Sequence, residues 1–82
     1  MIMVRFYAML KGLAKAETKE YDLNAPLTIR ELKAIIKKDF PALVPALEGR
    51  FILISVNQEF ADDSTAVKNG DEVALLPPFS GG

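Results

Sequence analysis

The feature that most restricts this chain is one sharply bounded helix set between strand-like segments. Thr28 is followed three residues later by Glu31. This is the spacing of a capping box, in which the threonine hydroxyl accepts from the Glu31 amide and the Glu31 carboxylate accepts from the Thr28 amide. Leu27 and Leu32 flank the box as a hydrophobic staple. Ile29, Leu32, Ile35 and Ile36 then recur at three- and four-residue spacing, while Arg30, Glu31, Lys33 and Lys37 lie off that stripe, so one face packs on a sheet. Lys37 and Lys38 suit the negative end of the helix dipole and Pro41 forbids continuation, which predicts an end near Asp39 or Phe40. A chain of 82 residues buries only roughly 60 to 65% of its unfolded surface and supports one core, so the sheet must come from the same short chain.

The remaining segments supply it. Ile2 to Met9 is rich in strand formers, with Ile2, Val4, Phe6 and Ala8 on one face and Met3, Arg5, Tyr7 and Met9 on the other. Lys11 to Ala16 reads as a short connector with Leu13 turned inward, and Thr18 to Leu23 as a half-buried second strand antiparallel to the first. Pro41 to Gly49 reads as an irregular or short helical crossover whose Leu43, Val44 and Leu47 cover the core. Arg50 to Val56 is a strand with Ile52, Ile54 and Val56 on one face. Asn57-Gln58-Glu59 is a turn into a brief strand at Phe60 and Ala61, Asp62 to Thr65 is polar loop, and Lys68-Asn69-Gly70-Asp71 is a turn into a closing strand, Glu72 to Leu76. This order suggests an α+β fold, a single β-grasp (ubiquitin-like) domain over residues 1–76. A mixed sheet packs on one main helix, the first and last strands lie parallel in its centre, and a flexible C-terminal Gly-Gly tail runs from 77 to 82.

Composition removes whole classes of function. With no Cys and no His, the chain supplies no thiolate or imidazole ligand, no cysteine nucleophile, no histidine base and no disulfide. Asp62, Asp63 and Asp71 lack the spacing of a calcium loop, so no metal is expected. A net charge of -1 gives no basic surplus for a nucleic acid. The longest apolar run, Phe6 to Leu10, falls far short of the roughly 20 residues of a membrane span, and no secretory pattern opens the chain. A cytoplasmic protein without membrane or nucleic-acid partners is the expectation.

Chemistry is concentrated in Pro77-Pro78-Phe79-Ser80-Gly81-Gly82. Two prolines favour an extended segment that leaves the sheet, and six residues reach at most about 20 Å. The Gly82 carboxylate is ionised at neutral pH and resists nucleophiles until another protein converts it to a mixed anhydride such as an acyl adenylate. A tail without side chains at its end suits a narrow activating pocket, with the globular body supplying the binding energy outside it. Phe79 is a candidate anchor for the tail and Ser80 a spacer.

Val56-Asn57-Gln58-Glu59-Phe60, and Asn69-Gly70-Asp71-Glu72-Val73-Ala74-Leu75-Leu76 with the Pro-Pro and Gly-Gly that follow, resemble the small subunits of molybdopterin synthases along effectively the whole chain. The resemblance implies a sulfur carrier. An adenylating enzyme of the ubiquitin-activating type would use Mg-ATP to make the glycyl adenylate at Gly82, and a sulfur donor protein would convert it to a thiocarboxylate. The tail, Pro77 to Gly81, would then enter the large synthase subunit and deliver sulfur to cyclic pyranopterin monophosphate. The complex would be a heterotetramer in which two carriers are consumed per product, with the catalytic residues on the large subunit. The carrier itself would bind no cofactor. By the same resemblance Phe60 and Leu76 contact the adenylating partner. Arg5 is the candidate for a partner's acidic group, Met3 and Tyr7 read as packed, and Arg30, Lys33, Lys37 and Lys38 read as a solvated helix face. Three alternatives keep the fold. The chain could be a carrier for thiazole or transfer-RNA thiolation, a ubiquitin-like modifier joined through Gly82 to lysines, or a plain interaction domain.

Overall fold

The computed structural model describes residues 1–49 and 52–77. Strand β1 (Ile2–Phe6) is followed by a short helix α1 (Met9–Ala14), β2 (Thr18–Tyr21), β3 (Leu27–Thr28) and the main helix α2 (Ile29–Asp39). A 3-10 turn (Pro41–Leu43) and a one-turn helix α3 (Val44–Glu48) lead to β4 (Leu53–Val56), β5 (Glu59–Phe60), β6 (Ala66–Val67) and β7 (Glu72–Leu76). Among the described residues the strands form a five-stranded mixed sheet, β2-β1-β7-β4-β5, and a separate two-residue ladder between β3 and β6. The first and last strands pair in parallel at the centre, Val4 opposite Val73 and Phe6 opposite Leu75, as the element order predicts.

Alternation decides the faces. Ile2, Val4 and Phe6 of β1, Val73 and Leu75 of β7 and Ile54 of β4 are buried on the inner face against Ile29, Leu32 and Ile36 of α2. The expected capping box is complete. The Glu31 amide donates to Thr28 Oγ1 at 3.2 Å and the Thr28 amide to Glu31 Oε1 at 2.9 Å. Leu43 and Leu47 close the open end of the core, and the Phe6 and Phe40 rings meet edge to face at 5.1 Å. The Tyr21 hydroxyl donates to Asp39 Oδ2 at 2.7 Å, joining β2 to the end of α2. Burial first, then that carboxylate, push the Tyr21 phenol above its usual range.

Several expectations need correction. The first strand stops at Phe6 instead of Met9, because Ala8 has φ 52 and turns the chain out of the sheet. Lys11 to Ala16 is not an irregular connector, since α1 occupies Met9–Ala14. Leu10 and Ala14, one helical turn apart, are buried there, and Leu13 lies on the other side at 42% exposure rather than inward. The second strand ends at Tyr21, two residues early. The brief strand is Glu59–Phe60, one residue earlier than Phe60–Ala61. Strand β4 begins at Leu53. Arg50 and Phe51, expected in it, lie outside the described residues.

Candidate functional site

The tail springs from β7, the strand flanked on both sides. The Tyr7 amide donates to the Leu75 carbonyl at 3.2 Å, so Leu75 directs its backbone groups toward β1, and residue 77 shares that direction by the two-residue period. Residue 77 is proline and has no N–H to give. The Tyr7 carbonyl instead accepts the Leu10 amide at 3.0 Å. The parallel ladder thus ends where the sequence removes its next donor. Pro77 is half-buried at this edge, and Pro78, Phe79, Ser80, Gly81 and Gly82 lie outside the described residues.

Register assembles a surface on the sheet face away from α2. Arg5 faces Ala74, Ala74 faces Ser55 and Ser55 faces Phe60, one row across four strands and about 14 Å long at roughly 4.8 Å per strand. Leu76 stands in the next row opposite Leu53. The three residues singled out as a partner patch, Phe60, Leu76 and Arg5, therefore share one face. Phe60 is 72% exposed, an aromatic ring with little to pack on within the chain. Tyr7, read as packed, is 41% exposed, because its neighbour Ala8 leaves the sheet and no further strand residue covers it. Met3 is half-buried, as expected. Leu53 and Ala74 were not singled out as part of this patch. Their alternation is visible in sequence, but the rows they join depend on register.

Electrostatics divide the face. Arg5 Nε lies 3.2 Å from Glu72 Oε2, yet the contact is not aligned as a hydrogen bond, and the buried Nε has no hydrogen-bond partner among the described residues. Just before Glu72, at the same end of β7, Asp71 is buried and accepts from the Lys68 amide at 2.9 Å and from Asn57 Nδ2 at 3.0 Å. Those donors hold its carboxyl below the usual range. Asp62 accepts from Ser64, and Asp63 from Lys33 at 2.7 Å, so each of the three aspartates is engaged by its own neighbours. Three of the four helix cations are likewise engaged, Lys33 and Arg30 facing Asp63 and Lys37 facing Glu48, while Lys38 is exposed. Among the described residues no helix is long and apolar enough to cross a membrane.

A mixed sheet of this order, its first and last strands parallel at the centre and one main helix across it, with a Gly-Gly tail continuing from the central strand, is the ubiquitin-like β-grasp class. Within that class the chain belongs to the ThiS family, whose model matches residues 4–82. Among curated relatives, a molybdopterin synthase sulfur carrier subunit of Haemophilus influenzae is 38% identical with both chains covered in full, and one of Escherichia coli is 32% identical with the same coverage. Among solved structures, SAMP1 of Haloferax volcanii superposes with a TM-score of 0.86 at 29% identity, covering 99% of this chain and 98% of that one. A complex of subunits 1 and 2 of the molybdopterin-converting factor of Helicobacter pylori contains a chain that matches with a TM-score of 0.70 at 30% identity, covering 99% and 97%.

Proposed function

We propose that this chain is the sulfur-carrier subunit of a molybdopterin synthase, with Gly82 as the carrying residue. The observation that carries the reading is the end-to-end match, at 38% identity, to a protein named for that role. The β-grasp body and the terminal Gly-Gly agree with it. In the proposed cycle a Gly82 carboxylate oxygen attacks the α-phosphorus of Mg-ATP on an adenylating enzyme of the ubiquitin-activating type, and pyrophosphate leaves. Sulfur at the sulfide level, brought by a donor protein, attacks the acyl carbon and expels AMP, leaving a thiocarboxylate. The tail from Pro77 to Gly81 reaches into the large subunit, the sulfur attacks a carbon of cyclic pyranopterin monophosphate and displaces an oxygen substituent from it, and water then attacks the acyl carbon and breaks its bond to sulfur, leaving sulfur on the pterin and the carboxylate restored on Gly82. The chain contributes no general acid or base to these steps and binds no cofactor of its own. It works in the cytoplasm, where the partner enzymes supply catalysis.

Phe60 and Leu76 serve as the apolar part of the contact with the adenylating enzyme. An exposed aromatic ring beside apolar neighbours on a rigid sheet is the kind of anchor that partner surfaces bury. A second reading, a protein modifier attached through Gly82 to lysine amines, draws on the likeness to SAMP1, a small archaeal modifier protein. Both readings share the adenylate and part at the attacking atom, sulfur or amine nitrogen.

Deleting Gly81 and Gly82 tests both. The deletion removes the reactive carboxylate and no buried residue described here, so the circular dichroism spectrum and Tm should stay as they are while molybdoenzyme activity in the cell disappears. Retained activity would overturn the carrier reading. A ladder of lysine conjugates on the full chain, with no thiocarboxylate, would put the modifier reading in its place.

A further inference from the structure

Strand β7 is flanked on both sides, and its residues take the two sides in turn. The Met3 and Tyr7 amides of β1 donate to the Asp71 and Leu75 carbonyls at 3.1 and 3.2 Å, while the Asn57 amide, just past β4, donates to the Glu72 carbonyl at 2.8 Å. Odd-numbered residues of β7 therefore bond toward β1 and even-numbered residues toward β4. The next amide due to donate on the β1 side belongs to residue 77. On the β4 side it belongs to residue 78, because Leu53 faces Leu76 and the same register sets position 78 opposite position 51, both outside the described residues. Residues 77 and 78 are both proline and have no N–H.

One proline would silence one neighbour only. In a strand paired on both sides the following residue would still donate to the other, so two successive prolines are the shortest sequence that ends both ladders at one level. The β1 side is closed a second time. The Tyr7 carbonyl, the acceptor that residue 77 would meet, already takes the Leu10 amide at 3.0 Å, and Ala8 at φ 52 carries β1 away from the sheet. Leu76 is thus the last residue of a central strand whose next two positions offer its neighbours no donor.

We infer that Pro77 and Pro78 are positioning residues for the chemistry at Gly82: one ends the ladder with β1 and the other the ladder with β4, which keeps all six residues from 77 to 82 available to a partner's active site. The inference rests on the carrier reading above. Six extended residues reach about 20 Å from Leu76, whereas four, with positions 77 and 78 held in the sheet, reach about 14 Å. A tail that bonds to its own sheet is competent only in the fraction of molecules in which it has peeled away, and turnover falls by that fraction while the body still docks.

The test compares the full chain with its Pro77→Ala/Pro78→Ala double variant. By NMR-detected hydrogen exchange, both new amides should exchange about tenfold more slowly than in the denatured chain, residue 77 through the Tyr7 carbonyl and residue 78 through β4. Exchange at the denatured rate at both positions would overturn the inference whatever the protein's role. In ATP–pyrophosphate exchange by the adenylating enzyme of its own organism, the double variant should show kcat about tenfold lower with KM for the carrier unchanged. Two glycines inserted between Phe79 and Ser80 of the variant should restore kcat, because they return the lost reach. If kcat does not fall, or falls and the insertion fails to restore it, the prolines do not act through tail length and the inference is wrong while the carrier reading stands. No adenylation of the wild-type chain would contradict the carrier reading itself, and the inference with it.

Discussion

Asn57 carries more of this fold than any apolar pattern reveals. It and Gln58 have φ 51 and 72, the paired left-handed geometry of a type I′ turn, and they join Val56 to Glu59 in the tightest possible hairpin. Asparagine tolerates that geometry, and its side chain donates to Asp71 Oδ1 at 3.0 Å while accepting from the Glu72 amide at 2.9 Å. Asn57→Ala should therefore lower stability by about 2 kcal/mol in urea unfolding, two hydrogen bonds at about 1 kcal/mol each. A loss within experimental error would mean that the network is slack. Asp71 has a pH signature as well. The Lys68 amide, then the Asn57 side chain, hold its pKa low against the opposing effect of burial, and Ser64 and Lys33 lower Asp62 and Asp63 in the same direction. A depressed folded-state pKa contributes stability that is present above the ordinary carboxylate range and is lost as pH falls through the folded value. Stability should decline below about pH 4, and Asp71→Asn should flatten that decline while lowering stability at neutral pH. An unchanged acid slope in the variant would contradict the assignment.

At the scale of elements, legibility followed local chemistry. The capping box, the apolar stripe and Pro41 are all written within a dozen residues, and α2 is where they place it. Glu72–Leu76 is a short apolar run behind an Asn-Gly turn whose Gly70 has φ 100, and β7 has those bounds. The first strand misled because Ile2 to Met9 is uniformly strand-forming, and the turn out of the sheet occurs at an alanine, a residue that gives no warning of positive φ. The Leu27–Thr28 ladder with Ala66–Val67 is two residues long and joins segments far apart in sequence, so no local periodicity announces it. Of the candidate surface, the alternation of Arg5, Ala74 and Leu76 is local and readable, whereas their alignment with Phe60 depends on three strand pairings. Thr28→Ala should cost about 1 kcal/mol and lower Tm by roughly 4 to 8 °C, since the Glu31 amide loses its side-chain acceptor while the amide of residue 28 keeps its bond to the Glu31 carboxylate. A smaller shift would mean that tertiary packing alone holds the helix start. Pro77→Ala restores a donor on the β1 side of the strand. Its amide should become protected from hydrogen exchange through the Tyr7 carbonyl, and free exchange there would show that something other than the missing donor ends the ladder.

At the scale of the molecule, the division of labour is between a rigid body and its last residues. The central position of β7, clamped between β1 and β4, means that any force on the tail is carried into the middle of the sheet and not to a fraying edge. The body presents Phe60, Leu76 and Arg5 on one face, while the chain that would carry sulfur has no cysteine to capture or scramble it. The alternative uses of a terminal Gly-Gly differ in what becomes attached to Gly82, and that is open to direct chemistry. The deciding measurement is a high-resolution intact mass of the protein from its own cells, before and after treatment with a thiol alkylator. Replacing oxygen by sulfur and oxidising one of the three methionines add nearly the same nominal mass, so accurate mass and alkylation must agree. The carrier account predicts an alkylated species whose added group maps to Gly82. A free carboxylate alone, with the activating enzyme and a sulfur source supplied, would contradict it.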